Sequence, residues 1–206
     1  MDDGVSITFD FRLKPETAEN FLAAGAALLH GTSDFPGFRS IRIVRHKIDR
    51  NRVLFIEHWD SEEGYGKYIA WRTESGMVAA FDQIVESSTT NIWPALIIEA
   101  QSAEAISETQ GISITFELVL KPEMIGPFTD NKAMFGAVSN FPGFRAIRLV
   151  QHKDDPARIL FIERWDNEAA YQAYVDWQTE RGGMEGIRQM TTHMETNIWP
   201  TLVTHA

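Results

Sequence analysis

Two glutamates each stand two residues before a tryptophan, Glu57 in Phe-Ile-Glu-His-Trp-Asp and Glu163 in Phe-Ile-Glu-Arg-Trp-Asp. A carboxylate in partly apolar surroundings has a raised pKa and can accept a proton near neutral pH. Along an extended chain Phe55, Glu57 and Trp59 share one face, as do Phe161, Glu163 and Trp165, so the rings could floor a slot for a flat molecule; packing is the other use of such rings. His46 and His152 titrate near neutrality and could shuttle a proton, or sit partly solvated beside Lys47 and Lys153. A hairpin centred near Asp49-Arg50 would set Arg42 opposite Glu57 and, in the second occurrence, Arg148 opposite Glu163. Such pairs either neutralise two charges or steady an anionic substrate. Thr8 and Thr115 are further polar candidates for contact with a substrate. There is no cysteine, no His-x-x-x-His and no cluster of carboxylates at ligand spacing, so no metal is implied. No glycine-rich phosphate loop is present either, and no cofactor is expected.

Every one of these residues occurs twice because the chain repeats itself. GVSITFDFRLKPE at Gly4 returns as GISITFELVLKPE at Gly111, an offset of 107, and FPGFRSIRIVRHK at Phe35 returns as FPGFRAIRLVQHK at Phe141, an offset of 106. The second offset then holds through LFIEHWD and LFIERWD to TNIWPALI and TNIWPTLV. Two modules of about a hundred residues follow, 1–99 and 111–206, joined by the polar, small-residue-rich linker 100–110. With 206 residues, 44% of them hydrophobic and 23% charged, the chain can bury ordinary cores. Its 19 basic and 29 acidic side chains leave a net charge of −10, which opposes binding to nucleic acid. Two acids at the N-terminus do not suit a secretory signal, and no apolar run approaches a membrane span, so a cytoplasmic protein without membrane contact is expected.

Each module alternates in a readable order. Val5, Ile7, Phe9, Phe11 and Leu13 alternate with polar residues as in a strand, and Pro15 with Glu16 opens a helix to about His30. Strands at Arg39–Lys47 and Arg52–Trp59 flank the loop Ile48–Asn51. Asp60 or Ser61 caps a helix to Thr73, a further helical piece spans Met77–Ser87, and a last strand spans Thr90–Ile98. The order β-α-β-β-α-β is the ferredoxin-like arrangement, an α+β fold with helices on one face of an antiparallel sheet. If Leu54 and Ile56 turn toward the helices, then Phe55, Glu57 and Trp59 fall on the opposite face with Thr8, Arg42 and His46. Two such mixed faces, turned toward each other, would close a pseudo-symmetric barrel with an amphipathic pocket.

The β-α-β-β-α-β module, the strand ending in Glu-x-Trp-Asp, and a helix opening in Ser-Glu-Glu-x-Tyr or Asn-Glu-Ala-x-Tyr together resemble the antibiotic-biosynthesis monooxygenase family of dimeric α+β barrels, here in tandem form. The resemblance implies oxygenases that use neither metal nor flavin, a cavity tryptophan matched by Trp59 and Trp165, and a helical aromatic hydroxyl matched by Tyr65 and Tyr171. The asparagine that several members carry four residues before that tryptophan is replaced by Phe55 and Phe161. The helical histidine of the haem-degrading branch is also missing, since Tyr68-Ile69 and Tyr174-Val175 stand there.

The expectation is therefore a cofactor-independent monooxygenase of an aromatic polyketide or quinol-like molecule, with O₂ as co-substrate. A non-catalytic binding barrel and a cyclase or isomerase are the alternatives, and the intramolecular pseudo-dimer could still associate into a homodimer.

Overall fold

The computed structural model describes residues 4–102, 110–131 and 138–206. Strand β1 (Val5–Leu13) alternates as its sequence dictates and leads through Lys14 into α1 (Pro15–Ala24), where Pro15 occupies the first turn with Glu16 beside the positive helix end. The helix stops earlier than its sequence suggests. Gly25 takes a φ of 46°, and the chain continues as a tight 3₁₀ turn over Gly25–Leu29. Strands β2 (Phe38–Arg45) and β3 (Arg52–Trp59) form the expected hairpin, and α2 (Glu62–Glu74) starts where the Ser61 hydroxyl accepts the Gly64 amide. Gly76, left-handed at φ 75°, separates α2 from α3 (Met77–Asp82).

The last strand of the module is two strands. β4 (Val85–Trp93) and β5 (Ala95–Gln101) are divided by Pro94, which has no N–H to give to a ladder. The second copy runs through β6 (Ile112–Leu120), α4 (Ile125–Asp130), β7 (Phe144–Gln151), β8 (Arg158–Trp165), α5 (Glu168–Glu180) and α6 (Gly183–Met190). It ends in β9 (Thr191–Trp199) and β10 (Thr201–His205), divided by Pro200. Most of the expected linker, 103–109, lies outside the described residues, while Ala100 and Gln101 extend β5.

Two antiparallel five-stranded sheets result, in the orders β10-β2-β3-β1-β4 and β5-β7-β8-β6-β9. Each carries its helices as a ferredoxin-like α+β module. The compact units are Met1–Pro94 with Thr201–Ala206, and Ala95–Pro200. The strand that follows each proline thus pairs in the sheet of the other copy: β10 lies along β2, and β5 lies along β7.

One expectation about the faces is corrected. Ile7 pairs with Glu57, Phe9 with Phe55 and Phe11 with Val53, so the odd-numbered residues of β3 share the helix-facing side of β1. Phe55 packs with Phe9, Phe11 and Phe21, and Trp59 packs with Tyr65 and Tyr68 of α2. Leu54 and Ile56 take the opposite face with Thr8, Arg42 and Val44. The second copy repeats this, with Ile114 and Ile147 both opposite Glu163. Val53–Ile56 is an unbroken apolar run with buried residues on both sides, and such a run carries no period-2 signal to fix its parity.

Candidate functional site

In the second unit β8 points Glu163 at the helices. The carboxyl is almost completely buried, 4% exposed, and its Oε2 accepts the Trp165 Nε1–H at 2.7 Å. Burial drives its pKa up to about 7, because the charged form loses water, and the indole hydrogen bond holds back part of that rise. No other hydrogen bond to this carboxyl occurs among the described residues. A cavity of about 270 Å³ opens beside it, walled by β-sheet residues including Phe116, Ile147 and Phe161, and by Tyr171, Tyr174 and Gln178 of α5 and Met184 and Ile187 of α6.

Helix α5 positions the hydroxyl groups. Asn167 caps it by accepting the Ala170 amide, and Tyr171, Tyr174 and Gln178 then recur at helical spacing on the cavity side. Burial raises both tyrosine pKa values, so both hydroxyls stay protonated and able to donate. Gln178 Nε2 donates to the Tyr174 hydroxyl at 2.7 Å, while Thr196 of β9 holds back part of the rise at Tyr171. Trp165 lies between these rings, its centroid 5.8 Å from Tyr171 and 5.1 Å from Tyr174. The arrangement offers a proton acceptor half-ionised near pH 7, hydroxyl donors and an apolar wall.

The first unit carries the same core of residues in another setting. Glu57 accepts the Trp59 Nε1–H at 2.9 Å, and burial again lifts its pKa to about 7, against the pull of Trp59 and of the Arg72 cation. Tyr65 is buried beside Trp59. Arg72, buried itself, donates from Nε to the Tyr68 hydroxyl at 2.9 Å and from Nη2 to the His30 carbonyl at 3.1 Å and to Thr32 Oγ1.

The other sequence candidates lie elsewhere. The register sets Ile41 opposite Glu57 and Arg42 opposite Ile56, one residue away from the expected pairing. The cross-strand Arg42–Glu57 and Arg148–Glu163 ion pairs are therefore corrected: Arg148 instead bonds Glu99 of β5 at 2.8 Å. Thr8 and Thr115 also face away from the glutamates and accept the Nε1–H of Trp93 and Trp199, each at 2.9 Å. His46 and His152 lie past the ends of β2 and β7, where each Nδ1 accepts a loop amide, from Asp49 at 3.0 Å and from Asp154 at 3.2 Å. Five residues of strand separate His46 from the partner of Glu57, on the order of 17 Å. A second recess, of about 300 Å³, lies on the far face of the first sheet, lined by Asn91 and by the ion-paired Asp10 and Arg52 among others. Among the described residues no three of His, Asp and Glu gather around a point where an ion could bind.

A family model described as antibiotic biosynthesis monooxygenase matches residues 4–83 and 114–178, well over half of the sequence and both copies of the Glu-x-Trp strand. The chain belongs to the antibiotic biosynthesis monooxygenase family. This monooxygenase-family protein matches solved structures along its whole length. A putative monooxygenase from Lactobacillus acidophilus NCFM is 14% identical with a TM-score of 0.75, 98% of this chain and 96% of that one being covered. An anthrone oxidase-like protein is 16% identical with a TM-score of 0.76, covering 100% and 93%. A putative monooxygenase from Fusobacterium nucleatum is 13% identical with a TM-score of 0.79, covering 100% and 95%. At these identities the likeness shows the fold. No curated protein matches the chain.

Of the positions that the sequence singles out, the structure brings Glu163, Trp165, Tyr171 and Phe161 together, and Glu57, Trp59 and Tyr65 in the other copy. The site residues expected from the sequence do not include Tyr174, Gln178, Tyr68 and Arg72. Their signal was present: 65, 68 and 72, like 171, 174 and 178, recur at i, i+3 and i+7, the spacing of one helix face. Among the described residues no helix is long and apolar enough to cross a membrane.

Proposed function

We propose that the protein is a cofactor-independent oxygenase of an aromatic or quinol-like molecule, and that the reaction takes place in the second unit. The observation that carries this reading is Glu163, buried at the wall of an aromatic-lined cavity with its carboxylate held by Trp165. Glu163 takes a proton from a phenolic O–H or an activated ring C–H, leaving an electron-rich anion. That anion passes one electron to O₂, the resulting radical pair joins as a peroxide anion, the protonated Glu163 returns its proton to give the hydroperoxide, and loss of water leaves a carbonyl where a CH₂ stood. The substrate supplies the electrons, so flavin and metal are not needed. Tyr171 and Tyr174 donate to the substrate oxygen as negative charge grows there.

The cavity volume, about 270 Å³, is just below the range usual for pockets that take drug-sized ligands, and suits a molecule of about two or three fused rings. Met184 and Met190 on the wall can adapt to ring outlines. Turnover of a panel of anthrones and hydroquinones, with O₂ uptake measured beside product formation, tests the reading. Product should form only in air, and Glu163→Gln should lower kcat by about 10²- to 10⁴-fold. Equal turnover without air would make the protein an isomerase or cyclase, and ligand-induced stabilisation with no turnover would make it a binding protein.

A further inference from the structure

The repeat aligns the wall of the second unit's cavity, residue by residue, with its counterpart in the first unit. Val138 answers to Thr32, Gln178 to Arg72, Gly183 to Met77, Gly186 to Ala80 and Ile187 to Phe81. Of the eight wall positions that differ, five are larger in the first copy, namely Arg72, Met77, Ala80 and Phe81 together with Ile69 for Val175; Thr32 exchanges a methyl for a hydroxyl, Val78 is smaller than Met184, and Ile84 stands for Met190. Phe81 shows the consequence. Its ring lies 4.8 Å from Phe11, 5.5 Å from Phe9 and 6.0 Å from Phe21, centroid to centroid, so four aromatic rings interlock over the sheet where the second copy has Ile187 at the cavity wall.

The hydroxyl exchange matters as much. Tyr68 and Thr32 hydroxyl oxygens are 3.0 Å apart, and Arg72 bonds both of them as well as the His30 carbonyl, tying α2 to the segment that precedes β2. Opening that seam would leave a buried guanidinium and two hydroxyls without partners, which is costly in a low-dielectric interior. Val138 cannot take part in such a network, and among the described residues Gln178 bonds Tyr174 alone. The second copy has no equivalent latch among these residues.

We infer that each chain has one ring-binding site, in the second unit, and that Phe81 with the Arg72–Tyr68–Thr32 network closes the equivalent place in the first. The inference rests on the proposed aromatic ligand class, yet it is counted by binding and not by turnover. Titration with 1-naphthol, followed by calorimetry and by quenching of tryptophan fluorescence, should give one site per chain; two equal sites would overturn the inference. Replacing the closing residues by those of the other copy, Thr32→Val with Arg72→Gln and Phe81→Ile, should raise the count to two. A folded triple variant that still binds one would refute the closure. Should that variant fail to fold, the reverse exchange decides: Ile187→Phe with Gln178→Arg should weaken naphthol binding at least 10-fold, and unchanged affinity would place the site elsewhere. One naphthol bound by a chain that never consumes O₂ with any substrate would leave the single site standing and remove the oxygenase reading.

Discussion

At the scale of single residues, the pair of atoms that matters is Glu163 Oε2 and Trp165 Nε1. The carboxyl lacks the solvation that would ionise it at its ordinary pKa, and one indole N–H provides part of what water would have provided. A base must be deprotonated to act, so kcat/KM should rise with pH and level off above about 7, the value to which burial lifts Glu163. Trp165→Phe keeps the packing surface and removes the hydrogen bond. The carboxylate then becomes harder to form, so the rising limb should move to higher pH, with activity at pH 7 falling several-fold and much of it returning near pH 9. A profile that drops uniformly at all pH values would assign Trp165 to packing. The Glu-x-Trp spacing was legible in the sequence because two residues apart on a strand is one face. The arginine pairing was not, because it depended on hairpin register, and a one-residue slip moves every partner to the other side of the sheet.

The elements that hold these residues were mostly legible from local chemistry: alternation in β1, Pro15 at the helix start, Ser61 and Asn167 as caps. What escaped was decided by long-range packing, namely which side of the run Val53–Ile56 meets the helices, and by the breaking of the last strand at Pro94. Glycine at the head of β6 is an element-level device with a direct link to the site. Gly111 has a φ of +81°, and a side chain there would run into the carbonyl oxygen of Trp165, its neighbour across the strand pair. Gly111→Ala combines backbone strain with that collision and should destabilise the protein by about 1–3 kcal/mol. The same displacement would act on β8, so turnover should fall in the population that remains folded. Thermal melting with assay of the soluble fraction measures both, and an unchanged melting temperature would show that the strand start tolerates the shift.

For the molecule as a whole, the repeat read from the sequence and the compact units seen in space divide the chain at different points. Two copies are plain in the residues, but the sequence gives no sign that the strand after each proline joins the other copy's sheet, because pairing partners are chosen by edge geometry and not by local propensity. Thr201–Ala206 is where this can be measured. The segment is the sequence neighbour of β9, yet its hydrogen bonds run to β2: the Ile41 amide donates to the Ala206 carbonyl at 2.8 Å, the Ala206 amide returns a bond to the Ile41 carbonyl at 3.0 Å, and Val203 packs against the first unit's core. A chain ending at Pro200 should therefore lose the ladder on β2, leave buried Ile41 and Ile43 on an uncovered edge strand, and melt roughly 5–10 °C lower. Hydrogen exchange locates the damage. Amide protection should fall at Ile41 and along β2, about 160 residues away in sequence from the deletion, while β9 and the helix face around Glu163 keep theirs. Loss of protection confined to β9 would mean that the terminal strand belongs with its sequence neighbours after all.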